Sequence, residues 1–149
     1  MEDFFTPGSV AVIGASSNKD KVGGMVISNL LGSGFEGEIY PVNPKGGEIQ
    51  GLRAYESVDK IEKVPDLAVI CIKAEHVLGE IDKLGSAGVR RVIIITAGFR
   101  EESDDGRIME ERIRDAVRKH GMRAIGPNCF GVMNTSAGLN TTFSSLFPV

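Results

Sequence analysis

Cysteine is scarce in this chain of 149 residues: there are two, Cys71 and Cys129. Two thiols do not make a disulfide scaffold, and a reducing, cytoplasmic setting is expected. A basic excess is also missing. Lys and Arg number 17 against 20 Asp and Glu, a formal net charge of −3. There is no domain-wide positive field, so no nucleic-acid partner is expected. No apolar run approaches the ~20 residues of a membrane span, and no membrane association is expected. The opening residues Met1, Glu2, Asp3, Phe4 and Phe5 have neither a basic nor a long apolar stretch, so they do not read as a signal peptide. The dinucleotide fingerprint Gly-x-Gly-x-x-Gly and the Walker A spacing are both absent. Internal repeats and low-complexity segments are absent too.

What is present is an ordinary folding composition, 42% hydrophobic and 25% charged, in a length that suits one domain over residues 1–149. Apolar runs alternate with helical patterns. Strands are expected at residues 9–14, 38–43, 66–72, 91–96 and 122–125. Helices are expected over residues 22–31, over the stretch with Val77, Leu78, Ile81 and Leu84 on one face, and over that with Met109, Ile113, Ala116 and Val117. Gly88 and Gly121 close the second and third helices, and Ser103 or Asp104 caps the third. Residues 50–55 read as a short extended excursion, and Ser57 as the cap of one helical turn reaching Ile61. Residues 132–143 read as an edge strand plus loop. The alternation predicts an α/β fold, a Rossmann-like doubly wound parallel sheet with helices on both faces.

Ligands of such sheets bind outside the carboxyl ends of the strands. The segments there are residues 14–24, 43–45, 72–74, 96–98 and 126–130, and they are expected to line one crevice. The first runs through Gly14, Ala15, Ser16, Ser17, Asn18, Lys21, Val22 and Gly23. It offers backbone N–H groups, hydroxyls and a helix N-terminus, which suit a phosphate. The second carries Asn43, Pro44 and Lys45, where NAD-binding domains place an acid for the ribose hydroxyls. A lysine there suits a phosphorylated ribose, so NADP stays open on charge while NAD is disfavoured.

These segments carry a resemblance. Phe-Phe-Thr-Pro-Gly-Ser-Val-Ala-Val-Ile-Gly-Ala-Ser over residues 4–16, Tyr-Pro-Val-Asn-Pro-Lys over 40–45, Ile-Ile-Thr-Ala-Gly-Phe over 94–99 and Gly-Pro-Asn-Cys-Phe-Gly-Val-Met-Asn over 126–134 are similar to the N-terminal CoA-binding domain of ADP-forming acyl-CoA synthetases. That family is related to the α subunit of succinyl-CoA synthetase. The resemblance follows the chain in order through essentially its whole length. It implies coenzyme A as the ligand. Ser16, its loop and Lys21 would face the CoA phosphates, and Lys45 the phosphorylated nucleotide end. Ile72, Lys73 and Ala74 stand where the succinyl enzymes carry a Val-Pro-Ala type segment, so Lys73 departs from the pattern. Ile95, Thr96 and Ala97 match the segment along the CoA arm. Ala97 stands where the succinyl enzymes carry Glu, so no acid role carries over. Pro127 and Asn128 complete the set.

The resemblance also implies partners. A phosphorylatable histidine and an ATP-grasp module belong to other ligase domains or a subunit, so this chain is expected to bind CoA without turning over. His76 and His120 are expected to be structural or solvated, and Cys71 an inert mid-strand thiol. Cys129 admits a nucleophile reading from its place at a strand end; in the related family this cysteine only accompanies the turn. The acids at Glu101, Glu102, Asp104 and Asp105 read as a charged helix start and not a metal site. Two other functions remain open at this point: a stand-alone CoA- or nucleotide-sensing module, and an NADP-binding oxidoreductase domain.

Overall fold

Five short apolar segments pair side by side in the computed structural model, which describes residues 4–145; the reading of Met1, Glu2 and Asp3 lies outside the described residues. They are β1 (Ser9–Ile13), β2 (Glu38–Val42), β5 (Leu67–Ile70), β6 (Arg91–Ile94) and β7 (Arg123–Ile125). Their order across the sheet is β2-β1-β5-β6-β7, and every pairing is parallel. Three crossovers are helices: α1 (Val22–Gly32), α2 (Ala74–Ala87) and α3 (Asp104–Lys119). The crossover from β2 to β5 instead carries a hairpin, β3 (Gly47–Ile49) with β4 (Leu52–Ala54), and a single 3-10 turn at Val58–Lys60. The expected fold class is therefore observed, with the extended excursion resolved as this hairpin.

The strands read as unbroken apolar runs because both faces are covered. Successive residues point to opposite faces. Ala11, Ile13, Ala68, Ile70, Val92 and Ile94 join Val77, Ile81 and Leu84 of α2 and Ile113 and Val117 of α3 in one core. Val10, Val12, Leu67, Val69 and Ile93 join Val26, Ile27 and Leu30 of α1 in the other. Each fully buried Val, Leu or Ile among them stabilises the fold by ~1.5–3 kcal/mol.

The second core shows what residues 132–143 do. They do not extend the sheet. Two short strands, β8 (Met133–Asn134) and β9 (Leu139–Asn140), pair only with each other. Val132 and Leu139 are buried among the side chains that α1 covers, while Arg123 and Ala124 of β7 stay exposed at the sheet edge. The expected edge strand is thus a strap over the α1 face. That face has a single helix, and its remaining apolar surface needs a cover. Buried Asn29 of α1 ties the strap down: its side-chain N–H groups donate to Thr142 O at 2.7 Å and Ser144 O at 2.9 Å.

Helix ends follow local rules at α2 and α3. Ser103 Oγ accepts from the Gly106 N–H at 3.0 Å, Asp104 and Asp105 occupy the first turn of α3, and Arg118 and Lys119 the last. All of these suit the helix dipole. Gly88 closes α2 in the left-handed conformation at φ 99°. His120 is the C-cap of α3, and its Nε2 lies 2.8 Å from Asp82 Oδ1 of α2. It is therefore structural, as expected, and it has the carboxylate partner that sequence did not reveal.

Asn29→Leu would keep the branched shape but remove both donors to the strap. It is expected to cost about 2–3 kcal/mol, read as a lowered urea midpoint. An unchanged midpoint would show that the strap needs no tether.

Candidate functional site

The carboxyl ends of the five strands are joined by hydrogen bonds in sheet order. Asn43, just past β2, donates from Nδ2 to Ala15 O at 2.9 Å, and the Gly14 and Ala15 N–H groups donate to Val42 O. The Cys71 N–H donates to Ile13 O at 2.9 Å, Thr96 Oγ1 to Ile72 O at 2.7 Å, and the Asn128 N–H to Thr96 O at 3.0 Å. All five expected segments thus lie on one edge.

They do not share a single hollow. A cavity of about 460 Å³ brings together Gly14, Pro44 and Ile72 over a floor that includes Ile13 and Val42, with Glu56, Glu75 and Glu80 among its walls. A second, of about 330 Å³, gathers Ser16, Ser17, Asn18, Lys21, Asn43 and Lys45, with one acid, Glu48, also in its lining. Gly126 and Pro127 turn into a third, beside Ile113 and Arg114 of α3. Neither Thr96 nor Ala97 lines these hollows; Ile95 is buried and Ala97 is exposed.

The loop between β1 and α1 is built to present N–H groups. Ser16 Oγ accepts from the Asn18 N–H at 3.1 Å, and Asn18 Oδ1 from the Asp20 N–H at 2.9 Å. Because Ser16 Oγ is the acceptor, its hydroxyl proton is left for another group. Among the described residues, no hydrogen bond takes up the backbone N–H of Ser16, Ser17 or Lys19. At the helix start, Lys21 makes no side-chain cap and no acid stands in the first turn, so the first N–H groups and the positive dipole end stay uncompensated. The helix comes this close to the loop only because Gly23 and Gly24 lack side chains. A Cβ at Gly23 would lie 2.0 Å from Gly14 O, and one at Gly24 1.9 Å from Asn18 O.

The lysines of the strand-end segments, Lys19, Lys21, Lys45 and Lys73, carry no ion pair among the described residues. Lys73 is the N-cap of α2 and Ala74 its first residue. Lys19 was not singled out from the sequence, although its place in the loop is a usable signal. By contrast the first cavity is rimmed mainly by acids, with Lys83 and His76 between them. The edge therefore divides into an acid-rimmed, apolar-floored hollow and a lysine-bearing one.

The thiols are not set up for catalysis. Cys71 lies one residue beyond β5, not mid-strand as expected, because the strand stops at Ile70 where the edge loops begin. Desolvation, and then the neighbouring Cys129, push its thiol up to about 12. Desolvation also raises Cys129, whose Sγ donates to Ile94 O at 3.3 Å. Both are thiols, not thiolates, at neutral pH. His76 is exposed and lies beside Glu75, and no cluster that could hold a metal ion occurs among the described residues.

The acidic run does more than start a helix. Glu101 Oε1 accepts from the Gly98 N–H at 2.6 Å and the Phe99 N–H at 3.2 Å, which fastens the loop leaving β6.

Fold and edge together define a Rossmann-like domain with an anion-receptive loop at the point where the strand order reverses. The chain belongs to the CoA-binding domain family, whose model matches residues 8–135. It is 45% identical to the α subunit of acetate–CoA ligase [ADP-forming] I from Pyrococcus furiosus, over 96% of this chain and 32% of that subunit. It is 44% identical to acetate–CoA ligase [ADP-forming] from Methanocaldococcus jannaschii, over 95% of this chain and 20% of that protein. The solved acetyl-coenzyme A synthetase 1 of Ca. Korarchaeum cryptofilum superposes with a TM-score of 0.91 at 41% identity, over 95% of this chain and 31% of that one. The chain thus spans a third or less of the length of these relatives. None of them favours the nicotinamide or stand-alone sensing readings. No helix among the described residues is long and apolar enough to cross a membrane.

The backbone N–H groups, with Gly98 foremost, hold the Glu101 carboxyl below its usual range. Its contribution to stability is complete above the unfolded value and is lost as pH falls through the lower folded one. Glu101→Gln is therefore expected to melt below wild type at neutral pH, and the gap should close in acid. Calorimetric scans across that range check this; a gap independent of pH would refute the role of the charge.

Proposed function

We propose that this chain is the CoA-binding domain of an ADP-forming acyl-CoA synthetase of the acetate–CoA ligase type. In this reading it is a single domain that holds CoA along the carboxyl edge of its sheet and works in the cytoplasm with further ligase domains or a subunit. Those parts supply the phosphohistidine and the ATP-grasp module, and this chain alone binds CoA without turnover. The observation that carries the reading is the loop of residues 14–24. Its Ser16, Ser17 and Lys19 N–H groups are unclaimed among the described residues, and Lys21 and Lys45 share its hollow, in a chain of this family.

The two hollows sort the ends of such a ligand. Glu56, Glu75 and Glu80 repel phosphate from the first, whose apolar floor of Ile13, Val42 and Ile72 suits the flat face of a base. The second offers Lys21, the Ser16 hydroxyl and the start of α1 at Val22 and Gly23 to the pyrophosphate. Lys45 is held there by its own N–H, which donates to Asn43 Oδ1 at 3.0 Å, and takes the 3′-phosphate of the ribose. Ile72, Lys73, Ala74, Ile95, Thr96 and Ala97 follow the arm of CoA toward Pro127 and Asn128.

Lys45 tests this placement. A charge-assisted bond contributes ~1.5–3 kcal/mol, so Lys45→Ala should weaken CoA about ten-fold or more. Dephospho-CoA, which lacks the 3′-phosphate, should bind wild type and variant alike. Calorimetric titration with CoA, dephospho-CoA, NAD and NADP decides the matter. Equal loss of both CoA forms would move Lys45 to another role, and binding of NADP without CoA would end the CoA reading.

A further inference from the structure

Gln50 sits at the tip of the β3–β4 hairpin with φ at 50°, followed by Gly51 at 82°. Two successive positive φ values make a two-residue hairpin turn of the type that favours Asn-Gly or Gly-Gly. A glutamine in its first position is unfavourable for the backbone. Its side chain supplies the reason. Nε2 donates to Ser16 O at 3.2 Å and to Gly24 O at 2.9 Å, and Oε1 accepts from Ser28 Oγ at 2.8 Å. The two carbonyls can only accept and the hydroxyl can donate, so the amide has one orientation that satisfies every partner. One side chain from the hairpin thus joins the β1–α1 loop, the first turn of α1 and the next turn.

We propose that Gln50 is the positioning residue of the phosphate loop. It draws the Ser16 carbonyl inward, as Asn43 draws that of Ala15. The N–H groups of Ser16 and Ser17, which share the peptide planes of those two carbonyls, are thereby fixed in direction before any ligand arrives. In the β2–β5 crossover a hairpin stands in place of a helix, and its turn carries this amide to the loop. The ligand side of the proposal rests on the CoA reading; the ordering of the loop does not.

The test uses the 149-residue chain and two variants. Gln50→Gly relieves the left-handed backbone and removes the amide. The relief offsets the lost bonds, so it should melt within about 5 °C of wild type. Gln50→Glu keeps the shape but sets an acceptor against two carbonyl oxygens. Without ligand, amide exchange followed by NMR at Asn18 and Lys21 should quicken about ten-fold in both variants, the loss of ~1.4 kcal/mol of local ordering. With ligand, Gln50→Gly should weaken CoA and dephospho-CoA by the same factor, about five- to thirty-fold, unlike the selective loss at Lys45→Ala. Unchanged exchange, or unchanged CoA affinity in a variant with quickened exchange, would overturn the proposal. A Gln50→Gly chain melting far below wild type would also overturn it, by making the amide a strut of the fold. Quickened exchange in a chain whose wild type ignores CoA would uphold the positioning of the loop and sink the CoA reading alone.

Discussion

The row of hydrogen bonds along the carboxyl edge is the constraint on which the rest depends. β5 and β6 stop one or two residues before their apolar runs end, at Ile70 and Ile94. Past the strand ends, side chains and peptide groups together bond each segment to its neighbour across the sheet. Asn43 to Ala15, Cys71 to Ile13, Thr96 to Ile72 and Asn128 to Thr96 make one continuous support. Without it the five loops would be separate, and the free N–H groups of the β1–α1 loop would have no fixed direction. Thr96 shows the consequence for function. Its hydroxyl proton is committed to Ile72 O, so it serves the scaffold before it serves a ligand.

The helices on the two faces of the sheet show how stability is distributed. At α3 every local device is in place: Ser103 as cap, Asp104 and Asp105 in the first turn, Arg118 and Lys119 in the last. At α1 every one is withheld; the cap position holds Lys21, and the first turn has no acid. A cap typically stabilises by ~1 kcal/mol, and α1 forgoes it at the one helix start that faces the lysine-bearing hollow. The fold recovers the deficit at a distance, through Gln50 on the first turn and Asn29 on the strap.

Much of this was legible in the sequence because the physical signals are local. The runs at residues 9–14, 66–72 and 91–96 announce strands covered on both faces, and the glycines and the lysine at 45 mark where the edge lies. The strap was misread because weak alternation in residues 132–143 says extended chain and nothing about which surface needs cover. Asn29 is an ordinary helical polar residue until Thr142 returns to it across the chain. Gln50 is equally silent, since its reach to Ser16 and Gly24 exists only once the hairpin has folded over the loop. Glu101 looked like one acid of a charged helix start, and its bonds to Gly98 and Phe99 depend on the turn that precedes α3. Cys71 was placed mid-strand because apolar character continues past Ile70, where the ladder stops.

The central claim is that CoA lies along this edge, with its phosphates at the β1–α1 loop. It is tested most directly by titrating the ¹⁵N-labelled chain with CoA and mapping which amides move. The account predicts shifts concentrated at Ser16, Ser17, Lys19 and Gly23, with smaller ones at Lys45, Ile72 and Ala97. Shifts confined to the opposite edge, at Gly8, Gly34, Gly37 and Ser136, would contradict it.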